Sequence, residues 1–178
     1  MKYLISMGSN MGDPAQILTN AWEHLSASPF LTVTGRSSFY KTPPWGKTDQ
    51  EEFLNAVIEV EWAGEPEALL QLLLDTEASF GRIRDVHWGP RTLDLDLIYA
   101  GAIERNTEFL KLPHPFFWER LFVLVPLEEI HPEFTFRGQK IHERIKALGG
   151  YEGILKQEES WKGGNHDRDS AKDCERKD

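Results

Sequence analysis

Two aspartates, two residues apart in the run Leu93-Asp94-Leu95-Asp96-Leu97-Ile98-Tyr99, are the first residues of this chain that could do chemistry. Strand interiors are poor places for Asp, and burying an unpaired carboxylate is costly. Side chains alternate across a strand, so Asp94 and Asp96 share one face while Leu93, Leu95 and Leu97 share the other. The leucine face is core; the aspartate face either lies in water or holds something positive. Two carboxylates on one face can bracket one Mg²⁺, or two ions about 4 Å apart. Just upstream, Arg82, Arg84, His87 and Arg91 are opposed by Asp85 alone. Arginine grips phosphate bidentately, so an acidic strand beside a basic loop suggests metal-nucleotide chemistry. A half-exposed strand next to a solvated loop is the alternative.

The rest of the composition narrows the field. With 178 residues, 40% hydrophobic and 28% charged, the chain can bury one sizeable core. Its net charge of −9 provides no chain-wide basic field for nucleic acid or an anionic membrane. The single cysteine, Cys174, rules out an intrachain disulfide and is compatible with a reducing compartment. The apolar run Met1–Met7 is too short for a signal-peptide core and no segment approaches a membrane span, so a cytoplasmic location is expected. No GxxxxGK[ST], GxGxxG or GxSxG motif is present, nor any Cys/His set with zinc spacing. On spacing alone, GSNMG (residues 8–12) reads only as a tight turn.

The elements that must position the aspartates follow from periodicity and turn chemistry. Residues 2–7 read as a first strand. Asp13 can cap a helix with Pro14 at its first position, followed by Ile17, Leu18, Ala21, Trp22 and Leu25 at helical spacing. Leu31–Tyr40 and Phe53–Trp62 read as the second and third strands, separated by the Pro/Gly loop KTPPWGKTDQEE. Glu65–Phe80 is a leucine-rich helix ended by Gly81, and LDLDLIYAG is the fourth strand. A mixed segment from Arg120 to Ile130 and a helix near Lys140–Leu148 complete the core. From Gln157 onward the chain is dense in charge and poor in aliphatics, so the domain is expected to span 1–156 and the segment 157–178 to be a disordered tail. The spacing predicts a small α/β sandwich with an antiparallel or mixed sheet, since no helix separates the second and third strands.

Taken together, HWGPRTLDLDLIYAG, GSNMGD after the first strand, SSFYKTPPWG, QEEFLN, GRIR after the long helix, and LPHP form an ordered set. It resembles the landmarks of the 6-hydroxymethyl-7,8-dihydropterin pyrophosphokinases of the folate pathway, over roughly residues 3–150. The resemblance implies an α+β, ferredoxin-like sandwich, an antiparallel sheet with packed helices. It also implies transfer of diphosphate from ATP to the pterin hydroxymethyl group, with release of AMP. The pterin hydroxyl would attack the β-phosphorus, with two Mg²⁺ riding on the triphosphate.

Carried over position by position, Asp94 and Asp96 match the magnesium ligands, and Arg82 and Arg91 the catalytic, phosphate-neutralising arginines. Glu77, Arg84, Trp88, Arg91, His114 and Arg120 match nucleotide contacts. Phe53 and Phe122 match the aromatic pair that sandwiches the pterin, Asn55 the amide that reads its edge, and Thr42, Pro43 and Trp45 the pocket lining. The expected partners are these two small molecules, with no nucleic acid or membrane, and the chain is expected to be a monomer. A non-catalytic ferredoxin-like nucleotide- or RNA-binding module is the main rival, weakened by the acidic net charge. A nucleotide-sugar transferase using its Asp-x-Asp is the second, for which the chain is short.

Overall fold

The computed structural model describes residues 1–42, 52–81, 93–158 and 161. In chain order the elements are β1 (Lys2–Ser9), α1 (Pro14–Ser26), β2 (Leu31–Arg36), β3 (Tyr40–Thr42), β4 (Phe53–Trp62), α2 (Pro66–Ser79) and β5 (Asp94–Tyr99). There follow the short hairpin β6 (Arg105–Asn106) and β7 (Lys111–Leu112), a 3₁₀ turn (Phe117–Glu119), and α3 (Leu121–Ile130). A second hairpin, β8 (Thr135–Phe136) and β9 (Gln139–Lys140), precedes α4 (Ile141–Ala147) and β10 (Leu155–Lys156).

The main sheet runs β10-β3-β4-β1-β5, with β2 also paired to β4, and every pairing among the described residues is antiparallel. This settles the antiparallel-or-mixed alternative. Alternation sorts the sheet into two faces. Tyr3, Ile5 and Met7 of β1, Leu54, Ala56, Ile58 and Val60 of β4, and Leu95 and Leu97 of β5 pack with Leu18 and Leu25 of α1 and Leu69 and Leu73 of α2. On the opposite face Leu4, Val57 and Ile98 pack with Val123, Leu124 and Leu127 of α3 and Ile141 and Ile145 of α4. Helices on both faces explain why β4 is buried along nearly its whole length.

The helix signals hold. The Asp13 side chain accepts the Gln16 N–H at 3.3 Å, Pro14 begins α1, and Gly81, at φ +74°, follows the end of α2. Three expectations change. The strand foreseen over Leu31–Tyr40 is two pieces with a break at 37–39, where the Ser37 N–H still reaches Val57 O at 2.9 Å and the Ser37 hydroxyl accepts the Val57 N–H. The mixed segment 120–130 is a helix despite Pro126 inside it; the lost N–H is outweighed by burial of Val123, Leu124, Val125 and Leu127. The tail does not begin at 157. The Gln157 N–H donates to Phe39 O, while Trp161 is 7% exposed, sits 4.6 Å from the Phe39 ring, and donates its indole N–H to Ser37 O at 2.9 Å. One aromatic side chain with a polar handle is enough to tie down an otherwise polar segment.

Candidate active site

β5 delivers the aspartates as its alternation demands. Leu93, Leu95 and Leu97 are buried under α1 and α2, while Asp94 and Asp96 are partly exposed on the α3 side. Register then lines up the site. Asp94 pairs with Gly8 of β1, Gly8 pairs with Asn55 of β4, and Asn55 pairs with Tyr40 of β3. Asn55 and Asp94 therefore share a row with one strand between them, about 10 Å apart at ordinary strand spacing. Because Gly8 has no side chain, the row between amide and carboxylate is bare backbone.

At the amide end, Asn55 and Thr42 are both 4% exposed, and Asn55 Nδ2–H donates to Thr42 Oγ1 at 2.6 Å. That bond uses one of the two amide N–H groups. Phe53, two residues before Asn55, lies on the same face and opposite Thr42 in register. It is half-buried, as is Phe122 in the first turn of α3.

At the carboxylate end, Arg120 immediately precedes α3. Its Nη1 lies 4.0 Å from Asp96 Oδ2, and its guanidinium covers the Phe122 and Phe116 rings at 5.6 and 5.7 Å. The cation–π contact holds the Phe122 ring against the same arginine that approaches Asp96. His114, between two prolines, donates its backbone N–H to Ile98 O at 2.8 Å and accepts the Phe116 N–H on Nδ1 at 3.1 Å. Burial, reinforced by Arg120, pushes its imidazole down to about 4 against an opposing pull from Asp94. The ring is therefore neutral near pH 7, and with Nδ1 accepting, its proton sits on Nε2.

Among the described residues no group of three or more His, Cys, Asp and Glu side chains could hold a metal by itself. Two aspartates suit Mg²⁺ on that count, since this ion keeps waters and shares its shell with substrate phosphates instead of taking an all-protein cage. The donor chemistry fits the ion.

The described structure thus brings together Asp94, Asp96, His114, Arg120 and Phe122, and joins Thr42 to Asn55. It does not place Glu77 with them. Glu77 lies on α2, across the sheet from the aspartates, is 1% exposed, and accepts the Leu95 N–H on Oε2 at 3.1 Å. In the described structure this carboxylate holds the β5 backbone between the two aspartates. Pro43, Trp45, Arg82, Arg84, Trp88 and Arg91 lie outside the described residues. Gly8, read from the sequence as a turn residue, stands inside β1, between Asn55 and Asp94 in register.

Comparison with known proteins gives the same answer. The 7,8-dihydro-6-hydroxymethylpterin-pyrophosphokinase (HPPK) family model matches residues 4–132. The 2-amino-4-hydroxy-6-hydroxymethyldihydropteridine pyrophosphokinase of Methylorubrum extorquens is 44% identical over 144 residues, covering 81% of this chain and 91% of that one. The Bacillus subtilis protein of the same name is 45% identical over 126 residues, 71% of this chain and 75% of its own. Among solved structures, Plasmodium falciparum HPPK-DHPS superposes with a TM-score of 0.64 at 14% identity, covering 87% of this chain and 48% of that one, a likeness of fold. This chain, with its antiparallel sheet and its Asp94/Asp96 strand in register with Asn55, belongs to the 7,8-dihydro-6-hydroxymethylpterin-pyrophosphokinase family.

Proposed function

We propose that this chain transfers a diphosphate from ATP to 6-hydroxymethyl-7,8-dihydropterin, and that the reaction occurs across the Asn55–Gly8–Asp94 row. The observation that carries the reading is that row, which sets an amide reader and a carboxylate pair on one sheet face with bare backbone between them. A flat heterocycle can lie at the Asn55 end between Phe53 and Phe122, its polar edge against the amide and Thr42. Its hydroxymethyl group then points along the row toward the phosphates.

Asp94 and Asp96 would hold Mg²⁺, two ions in this reading, and the bound metal supplies positive charge that polarises the phosphoryl oxygens. The substrate hydroxyl oxygen bonds to the β-phosphorus, the bond from that phosphorus to the α,β-bridging oxygen breaks, and AMP leaves with the bridging oxygen while the hydroxyl proton is lost to water. Neutral His114 can donate its Nε2–H to a phosphate oxygen without adding charge. Arg120, next to Asp96, offers a guanidinium to the nucleotide. Arg82 and Arg91 are assigned to charge stabilisation in the transition state, with Arg84 and Trp88 on the ATP side and Pro43 and Trp45 lining the pterin pocket. The reading takes the chain to be a cytoplasmic monomer; among the described residues no helix is long and apolar enough to cross a membrane.

Incubation with ATP, Mg²⁺ and the reduced pterin, followed by mass analysis, tests the reading. Pterin diphosphate and AMP should appear together, each only when the pterin is present. ADP as the product, or AMP release indifferent to the pterin, would overturn it.

A further inference from the structure

Glycine inside a central strand carries an entropic cost and offers no side chain to pack, so its presence there needs a reason. Gly8 pairs on both sides, with Asn55 and with Asp94, and it is not among the glycines with positive φ, so no special backbone conformation requires it. The reason is close approach. A Cβ at this position would stand 2.8 Å from Asn55 Oδ1, while its other near neighbours, Asn55 Cγ and Leu54 O, are at an ordinary 3.8 Å.

The one close conflict is therefore with a single atom, and that atom belongs to the amide assigned to read the pterin. Asn55 cannot yield cheaply. It is 4% exposed and anchored by the 2.6 Å bond from Nδ2 to Thr42 Oγ1. Making room for a methyl group means rotating the amide, which gives up that bond and turns Oδ1 away from its place. The backbone has no comparable conflict, so the damage falls on the amide and leaves the sheet in register.

We propose that Gly8 is a specificity-determining residue for the pterin: its missing side chain lets the Asn55 amide sit flat against β1, held by Thr42, at the orientation that matches the heterocycle's edge. The inference rests on the assignment of Asn55 as the pterin reader.

The test is a double-mutant cycle on the full chain with Gly8→Ala, Asn55→Ala and the double variant. Each is titrated calorimetrically with 6-hydroxymethyl-7,8-dihydropterin in the presence of Mg²⁺ and a non-hydrolysable ATP analogue, and separately with the analogue alone. Gly8→Ala should weaken pterin binding at least about tenfold, the scale of a buried polar edge left mismatched, with nucleotide affinity unchanged. Asn55→Ala should weaken it comparably. The double variant should bind no worse than Asn55→Ala, because the methyl group then has nothing to displace. It should also melt no lower than Gly8→Ala.

Wild-type pterin affinity in Gly8→Ala, or an undiminished further loss when Gly8→Ala is added to Asn55→Ala, overturns the inference alone. If Gly8→Ala fails to fold and Asn55→Ala does not rescue it, some other group blocks the position and the inference is again overturned. Normal pterin binding by Asn55→Ala defeats the underlying assignment of the amide, and that result is read from a variant in which Gly8 is intact.

Discussion

Glu59 and the Asp94/Asp96 pair project from the same face of the same sheet, yet they are surrounded differently. Glu59 Oε1 accepts the Thr34 hydroxyl at 2.7 Å and lies 3.6 Å from Lys2 Nζ, while Oε2 meets His131 Nε2 at 2.5 Å. Burial pushes this carboxyl up, but the Thr34 hydrogen bond, His131 and Lys2 together hold it below its ordinary 4.5. Groups from β1, β2 and the end of α3 converge on one carboxylate, which fastens the sheet to the helix layer. At the other end Asp94 and Asp96 are more exposed. Arg120 stands 4.0 Å from Asp96, and the neighbouring His114 is held neutral by its burial. The contrast teaches that an acid in a strand is not a site by its residue type. What decides is where the fold places it: Glu59 under converging groups of three elements, the aspartates beside the Gly8–Asn55 row.

Substitutions that should act on one end only can break this comparison. The largest effect is expected at the aspartates. Asp94→Ala and Asp96→Ala should each cut turnover on the order of a thousandfold, about 4 kcal/mol of transition-state stabilisation, with little loss in melting temperature. Near-normal turnover at ordinary Mg²⁺ would remove them from the site. Next comes Trp161, which belongs with the fastenings although it lies far along the chain. Trp161→Ala opens a cavity beside Phe39 and strips the hydrogen bond from Ser37 O, so denaturant unfolding should show a loss of about 3 kcal/mol or more. An unchanged midpoint would return the segment to a dispensable tail.

Glu59→Gln sharpens the contrast from the other side. It should lower stability by about 1–3 kcal/mol, through weakened hydrogen bonds to Thr34 and His131, while kcat stays near wild type. Its pH signature is the smallest effect. Because folding lowers the Glu59 pKa, the unfolded chain takes up the proton first on acidification. The stabilisation is fully present above about 4.5 and drains away as pH falls through the lower folded value. Wild type should therefore lose stability more steeply than Glu59→Gln below pH 4.5, and parallel curves would show that the contacts hold no net charge preference.

Much of the frame was legible because its signals are local. The span Phe53–Trp62 was readable to the residue from β-branched and aromatic runs, α1 from Asp13-Pro14, and the end of α2 from Gly81. The split of Leu93, Leu95 and Leu97 from Asp94 and Asp96 needed only the two-residue period of a strand. The misses share a different cause. Propensity argues against a helix through Pro126, and only burial under the sheet makes the lost hydrogen bond affordable. Trp161 sits in a polar run whose average composition masks one anchoring ring. Gly8 looks like a turn glycine because it stands next to turn residues, and its position inside β1 is visible only from its two neighbours in register.

By itself the sequence determined which residue types were available and which face of each element they occupy, since period and capping depend on neighbours a few positions away. That is why the aspartate pair could be singled out from spacing, whereas the amide and the aromatics were suggested by the family landmarks alone. Only the tertiary structure decided which of them meet. Register across β5, β1 and β4 sets Asp94, Gly8 and Asn55 in one row; the sheet's thickness puts Glu77 on the far side from the aspartates; and the 4.0 Å approach of Arg120 to Asp96 brings the start of α3 to β5. These relations are between atoms far apart along the chain, and they exist only once burial of the two apolar faces has fixed strand order and alignment.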